Sequence, residues 1–408
     1  MLQWNVEDEP GRGPPRADAR TGGQRWRARA LIPVVAVAAL VGVAWRLQKQ
    51  EEALRETFAG VVQRETRAMA FGQQAEAALL RDPTAPDLWA FLYDEQFRWA
   101  RPIPVSPQVE RVTLSEDSAL VELSWLLEAG AGSAPVLEQR AYRRVGDGWV
   151  RTELPGSSEL RQTDHWRLQG QPADLDAFEQ TFRIDDLWAH LTQHWPEALG
   201  EGRPSPPTIV VEPQLFGRTV LLNADLFVVN APRFAATLDP PEWERAFFND
   251  AALAPEARYR LNVLEAFLYR TLRSDWARRL SGQPRADLLE LYRQLIQAEV
   301  RQWALSDPER ASLHAAWRET LVAQPVTLAV PLQLLVSDAE RMTTTTREAA
   351  WQDQGHRRLA LALWLDERAA ESGPATLGRL TTRLIQRVET ARDPGGLEWI
   401  SILEEESE

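Results

Sequence analysis

The sequence predicts an α+β protein: one N-terminal transmembrane helix, a small domain of helices and antiparallel sheet, then a mostly helical domain. Three observations predict it. Ala30–Trp45 is an uncharged apolar run bracketed by Arg29 and Arg46. Beyond it, apolar residues at helical spacing give way to alternation between Val109 and Glu153. After the Pro/Gly/Ser stretch Leu154–Ser158, short β-branched runs lead into long helical patterns. The expected units are a cytoplasmic disordered tail over 1–29, a membrane helix over 30–46, a first domain over 47–155 and a second over 162–403.

The tail is rich in Gly, Pro and Arg, a composition that cannot bury enough apolar surface to fold. The apolar run is shorter than the roughly 20 residues a bilayer core needs. Its flanking arginines can reach the headgroups, and Trp45 suits the interface. A buried helix of a soluble core is the competing reading. Ala36-Val37-Ala38 resembles a signal-peptidase site but lies inside the run, which favours an uncleaved signal-anchor. Arg20, Arg25, Arg27 and Arg29 precede the run without an intervening acid, whereas Arg46 and Lys49 are soon met by Glu51 and Glu52. The positive-inside rule then places the N-terminus in the cytoplasm and the bulk of the chain outside. The expected localisation is a single-pass cell-membrane protein with the membrane as its partner through residues 30–46.

The first domain reads as a helix from Gln48 to Arg81, a stop at Asp82-Pro83-Thr84, and a second helix over Ala85–Trp99. Strands follow at Val109–Leu114, Ala119–Leu127, Val136–Val145 and Trp149–Glu153. Ala129–Ser133 is a Gly-rich connection, and Gly146-Asp147-Gly148 is a hairpin turn. This order of elements over Glu51–Leu154 resembles the nuclear transport factor 2-like fold. The resemblance implies a sheet curled around a long helix and leaves function open, because that fold hosts both enzymes and binding modules.

The second domain opens with the short strand Thr163–Leu168. A largely helical Ala173–Leu199 and a Pro-rich break at Gly200–Pro207 come next, then strands at Thr208–Val211, Thr219–Leu222 and Leu226–Val229. Helices are expected around Leu264, over Ala286–Leu305 and over Arg358–Arg368. Glu371-Ser372-Gly373-Pro374 breaks the last of these before Ala375–Glu389 resumes, and Thr343–Thr346 reads as a loop.

The stretch Tyr259–Leu272 carries the main functional clue. A zinc-peptidase helix of the H-E-x-x-H kind sets two His at i and i+4 beside a general-base Glu. Laid on that pattern, the His positions are Leu264 and Leu268 and the Glu position is Glu265. Leucine offers no lone pair, so this helix reads as core. With Thr163-Asp164-His165-Trp166 before it and Leu365 through Gly373-Pro374-Ala375-Thr376-Leu377 after it, Asp164–Leu403 resembles the peptidase MA-like gluzincins. That family of zinc peptidases is often found on bacterial envelope proteins. The resemblance implies an inactive relative with its zinc motif lost, because no later segment supplies a third ligand. Ile296-Gln297-Ala298-Glu299 is the nearest stretch and does not set Glu at the ligand position.

Other constellations carry less. His190 and His194 are the one pair with metal-ligand spacing, i and i+4 on a helix. Leu191 fills the slot of the general base, and surface histidines near a helix end are the commoner reading. His165, His314 and His356 are scattered. Seventeen Trp could be stacking platforms for sugars or envelope polymers, but most fall inside amphipathic elements and suit a core. No phosphate loop, nucleophile elbow or dinucleotide fingerprint occurs. The absence of cysteine excludes disulfides and thiol chemistry. A net charge of −13, with an acidic end at Glu404–Glu408, argues against a nucleic-acid partner, which needs a basic face. The expectation is a membrane-anchored extracytoplasmic binding or scaffold protein without catalytic residues, metal or cofactor, facing an unknown envelope protein or polymer. The alternative is an envelope metallopeptidase or hydrolase with a non-standard site.

Overall fold

The computed structural model describes residues 22–97, 107–125, 135–156, 158–195, 206–215, 220–222, 226–237, 252–279, 286–323, 344–373 and 375–390. Most of the expected tail, the connection at Ala129–Ser133 and the acidic end Glu404–Glu408 lie outside these residues. The chain falls into two compact units, 1–57 and 58–408. Helix α1, Gly22–Ala70, supplies residues to each.

In the first unit, α1 carries solvent-facing pairs one turn apart. Lys49 Nζ donates to Glu52 Oε2 at 2.8 Å and Arg55 Nη2 to Glu51 Oε1 at 2.6 Å, each worth a few tenths of a kcal/mol. The transmembrane expectation is corrected here. Among the described residues no helix is long and apolar enough to cross a membrane. The helix holding Ala30–Trp45 runs to 49 residues. Its uncharged part, at 1.5 Å per residue, covers only about 24 Å of the roughly 30 Å a bilayer core demands.

In the second unit, α1 ends where Gly72 turns the chain at a φ of 62°. What the periodicity merges into one helix is two, because α2 covers Gln74–Leu80. Helix α3, Asp87–Gln96, starts behind Pro86. The meander follows as β1 Gln108–Ser115, β2 Ser118–Trp125, β3 Val136–Val145 and β4 Gly148–Thr152, antiparallel and paired in chain order. The β3–β4 loop needs positive φ, which Gly146 supplies at 60° without a Cβ to strain. Phe58 and Val62 of α1 pack on Ala119, Val121, Leu123 and Tyr142 of this sheet.

The second sheet runs β5-β6-β7-β9-β8, from β5 Glu159–Gln162, β6 Arg167–Gly170, β7 Thr208–Glu212, β8 Val220–Leu222 and β9 Leu226–Asn230. Strands β6, β7 and β9 are parallel, and the outer two antiparallel. The sequence pattern reads one strand at Thr163–Leu168. Instead, Thr163 N donates to Trp166 O at 2.9 Å and turns the chain between β5 and β6. Helices α4, Pro172–Phe182, and α5, Ile184–His194, meet at Arg183, whose φ of 45° breaks the expected single helix. Then come α6 Pro255–Arg279, α7 Ala286–Ala304, α8 Asp307–Ala323, α9 Thr344–Ser372 and α10 Thr376–Thr390. Thr344–Thr346 opens α9 in place of the expected loop.

A sheet with a parallel centre is stable only when both faces are covered. Ile209, Val211, Phe227 and Val229 face the main core, shared with α4–α7, α9 and α10. Val210, Leu226 and Val228 face the other way, against Trp89, Leu92, Tyr93 and Phe97 on the α3 side. The helices that precede the first sheet thus form one layer of the second. On the far side, Arg301 of α7 grips Asp366 of α9 through two bonds of 2.8 and 2.9 Å, and His314 of α8 reaches the same carboxylate at 2.9 Å. That buried triad fixes three helices by direction as well as by area.

Candidate functional site

The helix singled out by sequence is α6, and it lies on the main core. Leu264 and Leu268, one turn apart, are each 1% exposed. Their neighbours in that core include Phe227 and Phe267, whose rings sit 5.4 Å apart. Glu265 points to the polar flank, where Arg293 Nε donates to it at 2.8 Å and Gln297 Nε2 at 2.6 Å. Both donors come from α7, so this carboxylate is spent on holding two helices together. Changing Leu264 or Leu268 to His buries a polar ring among apolar neighbours and should cost about 1–3 kcal/mol. Glu265→Gln should cost well under that, since an amide can still accept from Arg293; urea unfolding of the three variants checks the order.

His190 and His194 do share a face of α5, with ring centroids 4.5 Å apart. The structure adds a partner the sequence did not reveal. Glu299 of α7, buried, meets His190 Nε2 at 2.5 Å. Trp303, one turn further on α7, lies 5.2 Å from the His190 ring. Among the described residues, no group of three or more His, Asp or Glu is placed to hold a metal ion. His165 is exposed beside Trp188, and the His356 side chain lies outside the described residues.

Two further polar groups emerge only in three dimensions. At the carboxyl ends of the parallel strands, Asp174 in the first turn of α4 accepts from Arg233 Nη2 at 3.2 Å. Arg233 also donates to Pro213 O at 2.9 Å. Burial raises the Asp174 carboxyl, with Arg233 opposing. Loss of water around Glu212, the last residue of β7, together with the Glu153 charge, pushes its carboxyl up to about 8.

The second group is a buried quartet. Register sets it up: Glu138, Arg140 and Tyr142 of β3 stand opposite Leu123, Val121 and Ala119 of β2, and Arg151 of β4 stands opposite Tyr142. All therefore project from the sheet face that packs on α1. Glu65 of α1 completes the set. Arg140 Nη1 donates to Glu65 at 2.8 Å and Arg140 Nη2 to Glu138 at 3.0 Å. Arg151 Nη1 donates to Glu65 at 2.8 Å and Nη2 to Glu138 at 3.3 Å. No member is more than 1% exposed. Burial alone would raise the Glu65 carboxyl, but Arg151 and Arg140 outweigh it and hold it below the usual range. Burial pushes the Tyr142 and Tyr93 phenols up, so both stay neutral. The quartet reaches the second sheet as well: Leu215 N donates to Glu138 Oε1 at 3.0 Å, and Gln214 Oε1 accepts from Arg151 Nη2 at 3.0 Å.

No family model, no curated protein and no solved structure matches the chain. Its chemistry has to be read from its own side chains.

Proposed function

We propose that the chain is a binding or scaffold protein in which residues 162–403 follow the plan of a gluzincin peptidase without its zinc centre. One observation carries the reading: Leu264 and Leu268 stand 1% exposed in the core where that plan sets ligands, and Glu265 is engaged by Arg293 and Gln297. The order of elements supports it. A short strand, helices α4 and α5, strand β7 and then α6 succeed one another, and Gly373, at a φ of 87°, separates α9 from α10.

A hydrolase with a non-standard site is the second reading, favoured by the His190–Glu299 pair. A buried carboxylate orienting an imidazole is the arrangement of a general base or of a metal ligand held from behind.

Metal analysis and a peptidase assay on the purified full chain separate the two. The expected result is less than about one tenth of an equivalent of zinc, against the tight zinc binding of a closed protein site, and no cleavage of a casein substrate. Stoichiometric zinc that disappears in His190→Ala or His194→Ala, together with cleavage, would overturn the non-catalytic reading.

A further inference from the structure

Helix α1 leaves a run of large apolar side chains bare in the first unit. Val37, Leu40, Val41, Val43, Trp45 and Leu47 are between 57% and 69% exposed. At 3.6 residues per turn they fan over roughly 200° of the helix circumference. Ala39, Gly42 and Arg46 fall on the opposite side, so the apolar surface has a direction. It offers roughly 500 Å² of apolar side chain on each copy of the chain. A contiguous patch of that size marks an interaction surface.

We propose that residues 37–47 are a self-association face, on which α1 of a second copy of this chain docks parallel and in register. The proposal does not depend on the reading of residues 162–403. Area favours this occupant, because two such faces bury roughly 1,000 Å² together, the level a specific interface has to clear. A twofold pair is also closed, so each copy covers the other's face. Charge points the same way. One turn beyond Leu47, on the same side of the helix, Glu51 accepts from Arg55 at 2.6 Å. Lys49 is likewise paired with Glu52 at 2.8 Å. These charges balance within one helix, so nothing there calls for a partner of opposite sign. Parallel docking sets apolar surface on apolar surface and balanced pairs beside balanced pairs. Antiparallel docking about Gly42 would lay Glu51 over the uncharged residues before Val37 and strip it of water.

The oligomeric state of the full chain in detergent-free buffer tests this. Sedimentation velocity at tens of micromolar should give twice the mass of one chain for the wild type. Leu40→Glu combined with Leu47→Glu should raise the dissociation constant by at least about a hundredfold. Both side chains stand in water, so the double change leaves the fold intact. The chain has no cysteine, so single introduced cysteines report the geometry. Ala44→Cys, at the middle of the face, should form a disulfide between copies, which requires Cα atoms within about 7 Å of each other. Ala39→Cys, on the far side, should not. A monomeric wild type, association that survives the double substitution, or equal cross-linking by both cysteines overturns the proposal. So does a monomer that floats with phosphatidylcholine vesicles, which would make lipid the occupant. Association without the disulfide at position 44 overturns the parallel arrangement.

Discussion

Arg151→Met should lower the stability of residues 58–408 by about 3–5 kcal/mol, the range for removing one partner from a buried ion pair. The substitution leaves Glu65 and Glu138 facing Arg140 alone, with one carboxylate charge uncompensated in a site no more than 1% exposed. It also strips Gln214 Oε1 of its donor, which loosens the tie between the sheets. Urea unfolding followed by tryptophan fluorescence measures the loss, and a cost below about 1 kcal/mol would mean the quartet is hydrated in solution. The pH dependence has a definite sign. The folded Glu65 carboxyl sits below its ordinary value of 4.5, so its contribution is complete above that value. It is lost as pH falls through the lower folded value. The wild type should accordingly lose stability below about pH 4.5, and Glu65→Gln should lose less over that window.

Gly378→Ala should destabilise by about 3 kcal/mol, at the upper end of overpacking costs, although Ala normally outperforms Gly inside a helix by about 1 kcal/mol. The sign reverses because α10 crosses the end of α5 with no room for a side chain. A Cβ at Gly378 would run into the carbonyl oxygen of His194 and stand 3.1 Å from the Trp195 ring. Backbone is the obstacle, so no rotamer change relieves it. Gly60→Ala on α1 is the matched control: nothing lies within 4 Å of the point where its Cβ would stand, and the change should stabilise by about 0.5–1 kcal/mol. Equal shifts in the two variants would show that α10 does not pack on the α5 terminus.

The meander is legible in the sequence, because Ala119, Val121, Leu123 and Trp125 alternate cleanly and Gly146 marks the turn. Leu264 and Leu268 are legible too, because their spacing needs only a helix. Glu138 and Arg140 are not, since charged residues in an alternating strand read as the solvent face. The register shows them sharing the face of Leu123 and Val121, and alternating opposite charges on one strand face is the clue available. Strand β5 escapes notice because Glu159–Gln162 is largely exposed and polar, so only pairing with β6 makes it a strand. Glu299 stands out in the sequence only as an acid misplaced for α6. Its partner His190 lies more than a hundred residues earlier, a distance over which no local pattern reports. The membrane span fails for a different reason: the run Ala30–Trp45 is uniformly apolar, but uniform apolarity does not make up for missing length.

The double covering of the second sheet also has a consequence for how the chain is made. The apolar side of α3, with Trp89, Leu92 and Phe97, is completed by Val210, Leu226 and Val228, well over a hundred residues later. At ordinary rates of translation that face waits on the order of ten seconds for its partner strands to leave the ribosome. During the interval the quartet can already close around Glu65, Glu138, Arg140 and Arg151, because all four precede the second sheet. The nascent chain therefore holds a charged interior that still lacks its bonds to Gln214 and Leu215, beside an unfinished greasy flank. A chaperone that shields aromatic surface, or a pause before β7, would decide how many copies survive to fold.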